Sequence, residues 1–361
     1  MKPPTESVSV AMATYNGQRH IRRQLDSLAA QSHLPTELVI TDDSPDADTV
    51  SIIRAFAKTA PFPVHVQRNK TRLGYRANFI RAAGLCSSEL IAFCDQDDSW
   101  YPDKIALSLK PFSDPEVLLA YHNADVVTAE GVRIGTLANR AARQPLLTPM
   151  SAAPWWPYPL GFTQVFRRSL LSLSDLWSNS VDQTDASKPM AHDQWIYFLA
   201  AVFGTIAYLD EPLAAYVQHG TNTYGWGKPT LLKLIRKQFR DRSGGCSRCA
   251  KSADARAAIL EVAKTRFEGV WAKRADMAAE YYRKVSSLYS ERTALHTSAR
   301  LIDRLRAFQS VVRQGGYTGA WGFERKVIVV DMCLGVVIGR HFRPGADQSN
   351  GGLPKRTFSQ P

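Results

Sequence analysis

Short apolar runs alternate with helical spacing through the first hundred residues of this chain. Val8-Ser9-Val10-Ala11-Met12-Ala13-Thr14 predicts a strand that runs into the turn signal Tyr15-Asn16-Gly17. Ile21, Leu25 and Leu28 then recur at the interval of one helix face. Glu37-Leu38-Val39-Ile40-Thr41 predicts a second strand ending at Asp42-Asp43-Ser44. A third, Pro63 to Gln67, leads through Asn69, Arg72 and Gly74 to a helix carrying Asn78, Ile80 and Ala83; a fourth spans Leu90 to Cys94. Strands alternating with helices predict an α/β fold with a parallel, doubly wound sheet. In such sheets ligands bind at the C-terminal strand ends, which places Thr14, Asp42, Arg72 and Asp95 along one crevice.

The fourth strand delivers Asp95, Asp97 and Asp98 at one point. Carboxylates so close repel one another, and a fold that keeps them ionised needs a cation there. Sparse oxygen ligands suit Mg²⁺ or Mn²⁺, which take their remaining ligands from water and substrate phosphates. The alternative reading is an acidic surface turn with Asp98 capping the next helix.

Taken in order, Met12-Ala13-Thr14-Tyr15-Asn16-Gly17, Asp42-Asp43-Ser44, Asn69 through Asn78 and Asp95-Gln96-Asp97-Asp98 resemble the family-2 inverting glycosyltransferases of the GT-A fold. His192-Asp193-Gln194-Trp195 and Tyr216-Val217-Gln218-His219-Gly220-Thr221-Asn222 are similar to later blocks of that family's rhamnosyltransferase-like branch. The likeness covers residues 7 to 225; Phe162 departs from it, standing where a small or polar residue is expected. The resemblance implies a GT-A sheet and a nucleotide pocket formed by Thr14, Tyr15, Asp42, Arg72 and Asn78. It also implies a DxD pair in which Asp97 contacts the metal and Asp95 the ribose or a metal-bound water, with His219 near the diphosphate or metal. Asp193 becomes the base that deprotonates the acceptor, although an Asp opening a helical run is commonly just a cap. His192 orients that loop, and with Trp195 falls on the acceptor side. Trp155 and Trp156 make an aromatic platform for a sugar face or, equally, a rigid loop under the sheet.

Composition and charge extend this picture. A chain of 361 residues, 45% hydrophobic, can bury a large core and carry an extension. The N-terminus lacks the apolar stretch of a secretory signal, and five cysteines, an odd number, point to reduced thiols. Cys246 and Cys249 have metal-like spacing but no second pair follows them. These features predict a cytoplasmic protein. Residues 1–227 carry 19 basic and 22 acidic side chains, whereas residues 228–361 carry 26 and 11, a net +15. The chain therefore divides into a transferase domain over 1–227 and a basic, mainly helical region over 228–361.

Within that region Leu231, Leu234, Ile235 and Phe239 share one helical face, with Lys233, Arg236, Lys237 and Arg240 largely opposite. A basic amphipathic helix suits the surface of an anionic membrane, here the inner face of the cell membrane, though a helix packed on the catalytic domain would look the same. Leu301 to Phe308 is a second such segment. Val327 to Ile338 is strongly apolar but contains Asp331 and falls short of the ~20 residues a spanning helix needs, leaving a core helix or a membrane-dipping one.

The sequence thus predicts an inverting transferase acting in cell-surface polysaccharide assembly. It would take a sugar, rhamnose being one candidate, from a dTDP-, UDP- or GDP-linked donor to a glycan or polyprenyl-pyrophosphate-linked acceptor. The alternatives are a non-catalytic sugar-nucleotide binder and a basic nucleic-acid-binding protein. The second is disfavoured, because the basic residues interleave with helical apolar faces and no nucleic-acid module is visible.

Overall fold

The computed structural model describes residues 7–137, 146–147, 159–218, 242–318, 321 and 327–338. They fall into two compact units. The first comprises residues 7–137, 146–147, 159–175 and 191–218; the second comprises 176–190 and the described residues from 242 onward. Segment 176–190, placed by sequence within the transferase domain, thus belongs with the C-terminal helices: Ser252 Oγ donates to the Val181 carbonyl at 2.7 Å. The helix foreseen over 229–240 lies outside the described residues.

The first unit is built on one mixed sheet. Its strands are β1 (Val8–Thr14), β2 (Glu37–Asp42), β3 (Val64–Arg68), β4 (Leu90–Cys94), β5 (Ser99–Trp100), β6 (Val117–Thr128), β7 (Arg133–Thr136), β8 (Leu146–Leu147), β9 (Gln164–Arg167) and β10 (Thr205–Gln218). Their order is β3-β2-β1-β4-β9-β6-β10-β5, with β7 on β6 and β8 on β10. Strands β3, β2, β1 and β4 are parallel, as their alternation with helices α1 (Ile21–Ala29), α2 (Asp48–Ala57) and α3 (Tyr75–Gly84) requires. β9 is antiparallel to both β4 and β6, an insertion the sequence pattern did not announce. Since β6 and β10 run parallel to each other, the C-terminal ends of β1, β2, β4, β6 and β10 all point the same way.

Strands β1, β2 and β4 are buried along their whole length, which is why their apolar residues run together rather than alternate, and the polar pair Ser9 and Glu37 is hydrogen-bonded at 2.6 Å. Two more helices complete this unit, α4 (Lys104–Leu109) and α5 (His192–Phe203); all twelve residues of α5 are buried.

The second unit is helical: α6 (Arg242–Arg266), α7 (Gly269–Thr297), α8 (Leu301–Arg313) and a segment, Val327–Ile338, whose last eight residues form wide π-type turns. Gly269 adopts φ +62°, a conformation a side chain would resist, between α6 and α7. On α7 the buried positions Ala275, Ala278, Tyr282, Val285, Tyr289, Arg292 and Leu295 repeat at three and four residues, the stripe of a helix pair. Arg292 can sit in that stripe because Asp331, itself 0% exposed, takes hydrogen bonds from its Nε at 2.7 Å and Nη2 at 3.0 Å. Segment 327–338 thus buries Asp331 as an internal ion-pair partner, while Val329, Met332 and Val337 on it are exposed. No helix among the described residues is long and apolar enough to cross a membrane.

Candidate active site at the strand ends

A buried polar girder joins the ends of β1, β2 and α3. Thr14 Oγ1 donates to Asp42 Oδ1 at 2.6 Å, and Ser44 Oγ donates to the same oxygen at 2.7 Å. Asn78 Nδ2 donates to the carbonyls of Thr41 at 3.0 Å and Thr14 at 3.3 Å. Thr14, Asp42 and Asn78 are all buried. The three therefore hold two strand ends and a helix together, and their side chains are spent on one another. Asp43 does the same for the next loop: its carboxylate accepts from the backbone N–H of Leu73 and Gly74 and from Asn69 Nδ2.

Tyr15 and Arg72 stand above the girder, exposed to solvent. The Arg72 guanidinium lies 3.9 Å from the centroid of the Tyr15 ring, a cation–π pair that presents one flat face. Gln96, inside the acidic loop, fixes the Tyr15 backbone from the other side.

The acidic loop itself is tied at three points. Arg23 Nη2 donates to the Asp97 carbonyl at 2.7 Å. Asp98 does not cap a helix; it accepts from the Val217 N–H at the end of β10, at 3.2 Å. Its other oxygen, Oδ2, is buried without a hydrogen-bond partner. Lys104, at the start of α4, is buried among these residues.

Electrostatics follow from this crowding. Burial pushes the Asp95 carboxyl up, and the charges of Asp97 and Asp193 push it further, with Lys104 opposing. Asp98 is raised by burial and then by Asp97 and Asp95. Lys104 is brought down to about 7 by burial, against the pull of Cys94, Asp98 and Asp95. A divalent cation would relieve the carboxylates and occupy Asp98 Oδ2, and the donors are all oxygen, so the residues present fit Mg²⁺ or Mn²⁺. Among the described residues no three His, Cys, Asp or Glu side chains are grouped so as to hold a metal by themselves.

Asp193 is the second residue of α5, in its first turn, where a negative charge is favoured by the helix dipole. Its Oδ1 accepts from the Gln194 N–H, and its carbonyl accepts from Gln164 Nε2. Fold topology thus brings Asp193 close enough to Asp95 for their charges to interact, although ninety-eight positions separate them.

His192 and Trp195 are placed otherwise than the sequence suggested. The His192 ring stacks on Phe79 at 3.9 Å, meets Phe93 edge-on at 4.7 Å, and has no hydrogen bond to either nitrogen. Burial, with Arg76 nearby, brings it down to about 3, so it is a neutral core ring beneath Asp193. Trp195 is 0% exposed and packs on Phe198, away from any acceptor. Trp155, Trp156 and His219 lie outside the described residues. Sequence reasoning missed Gln96 and Lys104; the only hint was Lys104 falling on the apolar face of its helix beside Ile105 and Ser108.

Comparison with known proteins agrees with this geometry. Residues 9–173 match the profile of glycosyl transferase family 2. An uncharacterized glycosyltransferase of Nostoc sp. is 27% identical over 224 residues, 60% of this chain and 66% of that protein. The dTDP-rhamnosyl transferase RfbG of Shigella flexneri is 25% identical over 244 residues, 63% of this chain and 80% of the relative. The chain spans between 59% and 66% of the length of the first curated relatives it matches. The crystal structure of S. aureus TarS 1–349 has a similar fold, with a TM-score of 0.50 at 17% identity, covering 91% of this chain and 86% of that one.

Proposed function

We propose, on the match of residues 9–173 to the profile of glycosyl transferase family 2, that this protein transfers a sugar from a nucleoside-diphosphate donor to a saccharide acceptor, with inversion. The observation that carries the reading is the meeting of Asp193, from the start of α5, with Asp95 and Asp97, from the end of β4. The two elements thus supply carboxylates near enough to interact, one set for the leaving group and one for the nucleophile of an in-line transfer.

Asp193 accepts the proton of the acceptor hydroxyl as that oxygen attacks, a contribution worth ~10²–10⁴ in rate. Tyr15 and Arg72 hold the nucleoside on the face they form, while Thr14, Asp42 and Asn78 keep that face in place from below. Asp97 and Asp98 Oδ2, with His219 beside them, would hold a divalent ion, Mn²⁺ or Mg²⁺, which would supply neutralising charge to the departing diphosphate, while Asp95 would meet the ribose or a metal-bound water. The donor is dTDP-rhamnose by analogy with the Shigella relative. The acceptor is a polyprenyl-pyrophosphate-linked glycan, and the net +15 of residues 228–361 brings the enzyme to the anionic membrane that carries it. Trp155 and Trp156 are proposed for the acceptor side.

Thermal unfolding with Mn²⁺ and each of dTDP, UDP and GDP tests the reading. The nucleotide of the true donor raises apparent stability by about 2.7 kcal/mol at a hundredfold excess over its Kd. Asp97→Ala should abolish both this stabilisation and transfer. Stabilisation by none of the three, or full metal-dependent stabilisation of the Asp97→Ala protein, would refute it.

A further inference from the structure

Lys104 has no part in the reaction outlined above, yet it is 1% exposed, a rare position for a lysine. Its Nζ donates to the Phe162 carbonyl at 2.5 Å and sits 3.4 Å from the centroid of the Trp100 ring. Phe162 belongs to the turn Gly161–Thr163 that precedes β9. Gly161, beside it, presses directly on His192: a Cβ there would stand 2.4 Å from His192 Nε2. His192 is followed by Asp193. A continuous path of contacts therefore runs from Lys104 through the 161–163 turn and the His192 ring to the proposed base.

We infer that Lys104 is a positioning residue that sets Asp193 relative to Asp95 and Asp97 by tying the 161–163 turn to the start of α4. This inference rests on the glycosyl-transfer reading. Two physical arguments support it. An unbranched apolar side chain would fill the same space without the desolvation of an ammonium, so packing alone does not account for a lysine here. The hydrogen bond also goes to a backbone carbonyl, so it constrains the course of the turn rather than one rotamer.

The arrangement has a consequence that separates it from a general structural role. A cation close enough to interact with Asp95 and Asp98 opposes a divalent ion binding at the same carboxylates. Removing it should leave Mn²⁺ binding as tight as before or tighter, even as turnover falls. A lysine that merely kept the loop folded would lose both together.

The test uses the full chain with Lys104→Met, Lys104→Leu and Lys104→Gln, read by kcat, donor KM, calorimetric titration with Mn²⁺ alone, and melting temperature. For Lys104→Met the expected result is a kcat lowered about tenfold or more, the scale of one misplaced catalytic group, with KM within about threefold. Mn²⁺ affinity and melting temperature should be unchanged or higher. Lys104→Leu gives the same readings if the Met protein does not fold. Lys104→Gln keeps an N–H that can reach towards the Phe162 carbonyl and should recover part of the turnover. Wild-type kcat in the Met or Leu protein would overturn the inference, as would Mn²⁺ affinity falling in step with kcat. An inactive wild type would overturn the glycosyl-transfer reading along with it, whereas an active wild type matched by its Lys104 variants overturns the inference alone.

Discussion

Gln96 and Tyr15 exchange two hydrogen bonds: the Tyr15 N–H donates to Gln96 Oε1 and Gln96 Nε2 donates to the Tyr15 carbonyl, both at 3.0 Å. A side-chain amide here does what a neighbouring strand would do, and it joins the acidic loop after β4 to the turn after β1. Gly17 belongs to the same lock, because a Cβ there would lie 2.3 Å from Gln96 Oε1.

Breaking the lock should therefore weaken donor binding more than chemistry. Two neutral hydrogen bonds at ~1 kcal/mol each predict a rise of about tenfold or more in donor KM for Gln96→Ala. Gly17→Ala displaces the amide and should give a similar rise. Because both act on one contact, the double variant should be no worse than the poorer single one, and additive losses in a double-mutant cycle would refute the coupling.

Asp193→Asn retains an acceptor oxygen for the Gln194 N–H and nearly the same shape, but takes no proton. Turnover should fall by ~10²–10⁴ while nucleotide binding in the thermal-shift assay stays near wild type. Survival of most of the turnover would reduce Asp193 to a helix-terminus residue.

The buried imidazole of His192 predicts acid sensitivity with a definite sign. An unfolded chain protonates it near pH 6.5, whereas the folded chain resists until about 3. The unfolded state thus binds more protons in that window, so this stability is complete above about pH 6.5 and declines as pH falls, by about 1.4 kcal/mol per pH unit at most. His192→Met should flatten the dependence of melting temperature on pH between 6.5 and 4. An unchanged slope would show that other groups govern it.

In the second unit, Asp331 collects Arg292, His296 and Tyr317. Burial alone would raise its carboxyl; hydrogen bonds from His296 and Arg292 outweigh that and hold it well below the usual carboxylate range. Its contribution is therefore present above the unfolded value near 4 and is lost as pH drops through that value towards the folded one. Asp331→Ala strands a buried guanidinium and should cost about 3–5 kcal/mol, whereas the pair Arg292→Met and Asp331→Leu should recover most of it. Denaturant unfolding of the full chain measures both.

Membrane attraction is tested by co-sedimentation with vesicles. Recovery should require anionic lipid, fall as salt rises, and drop when Lys233, Arg236, Lys237 and Arg240 are all changed to Gln, each charge being worth ~1 kcal/mol near the surface. Equal recovery with neutral vesicles would assign those charges to solvent.

Local order was legible in the amino-acid sequence because it depends on neighbours a few positions apart. The runs Val8–Thr14, Glu37–Asp42 and Leu90–Cys94 are rich in apolar residues without strict alternation since each is buried along its whole length, and the polar residues at their ends mark the edge where ligands gather in such sheets. The clustering of Asp95, Asp97 and Asp98 and the helix opening at Asp193 were equally visible. What no local pattern could express is which polar groups are already spent. Thr14, Asp42 and Asn78 look like ligand contacts in a linear reading; the structure adds that Thr14 donates to Asp42 and Asn78 to the carbonyls of Thr14 and Thr41, because three elements converge there. His192 looks like a polar site residue until Phe79 and Phe93 close around it. The reverse holds for Lys104 and Asp331, two charges that lie inside, because a buried charge is tolerated only where partners from distant parts of the chain arrive with it. Sequence determined the strands, their order of chemistry and the acidic edge; tertiary structure alone decided which of those side chains face the ligand, since burial and pairing are properties of the assembled chain.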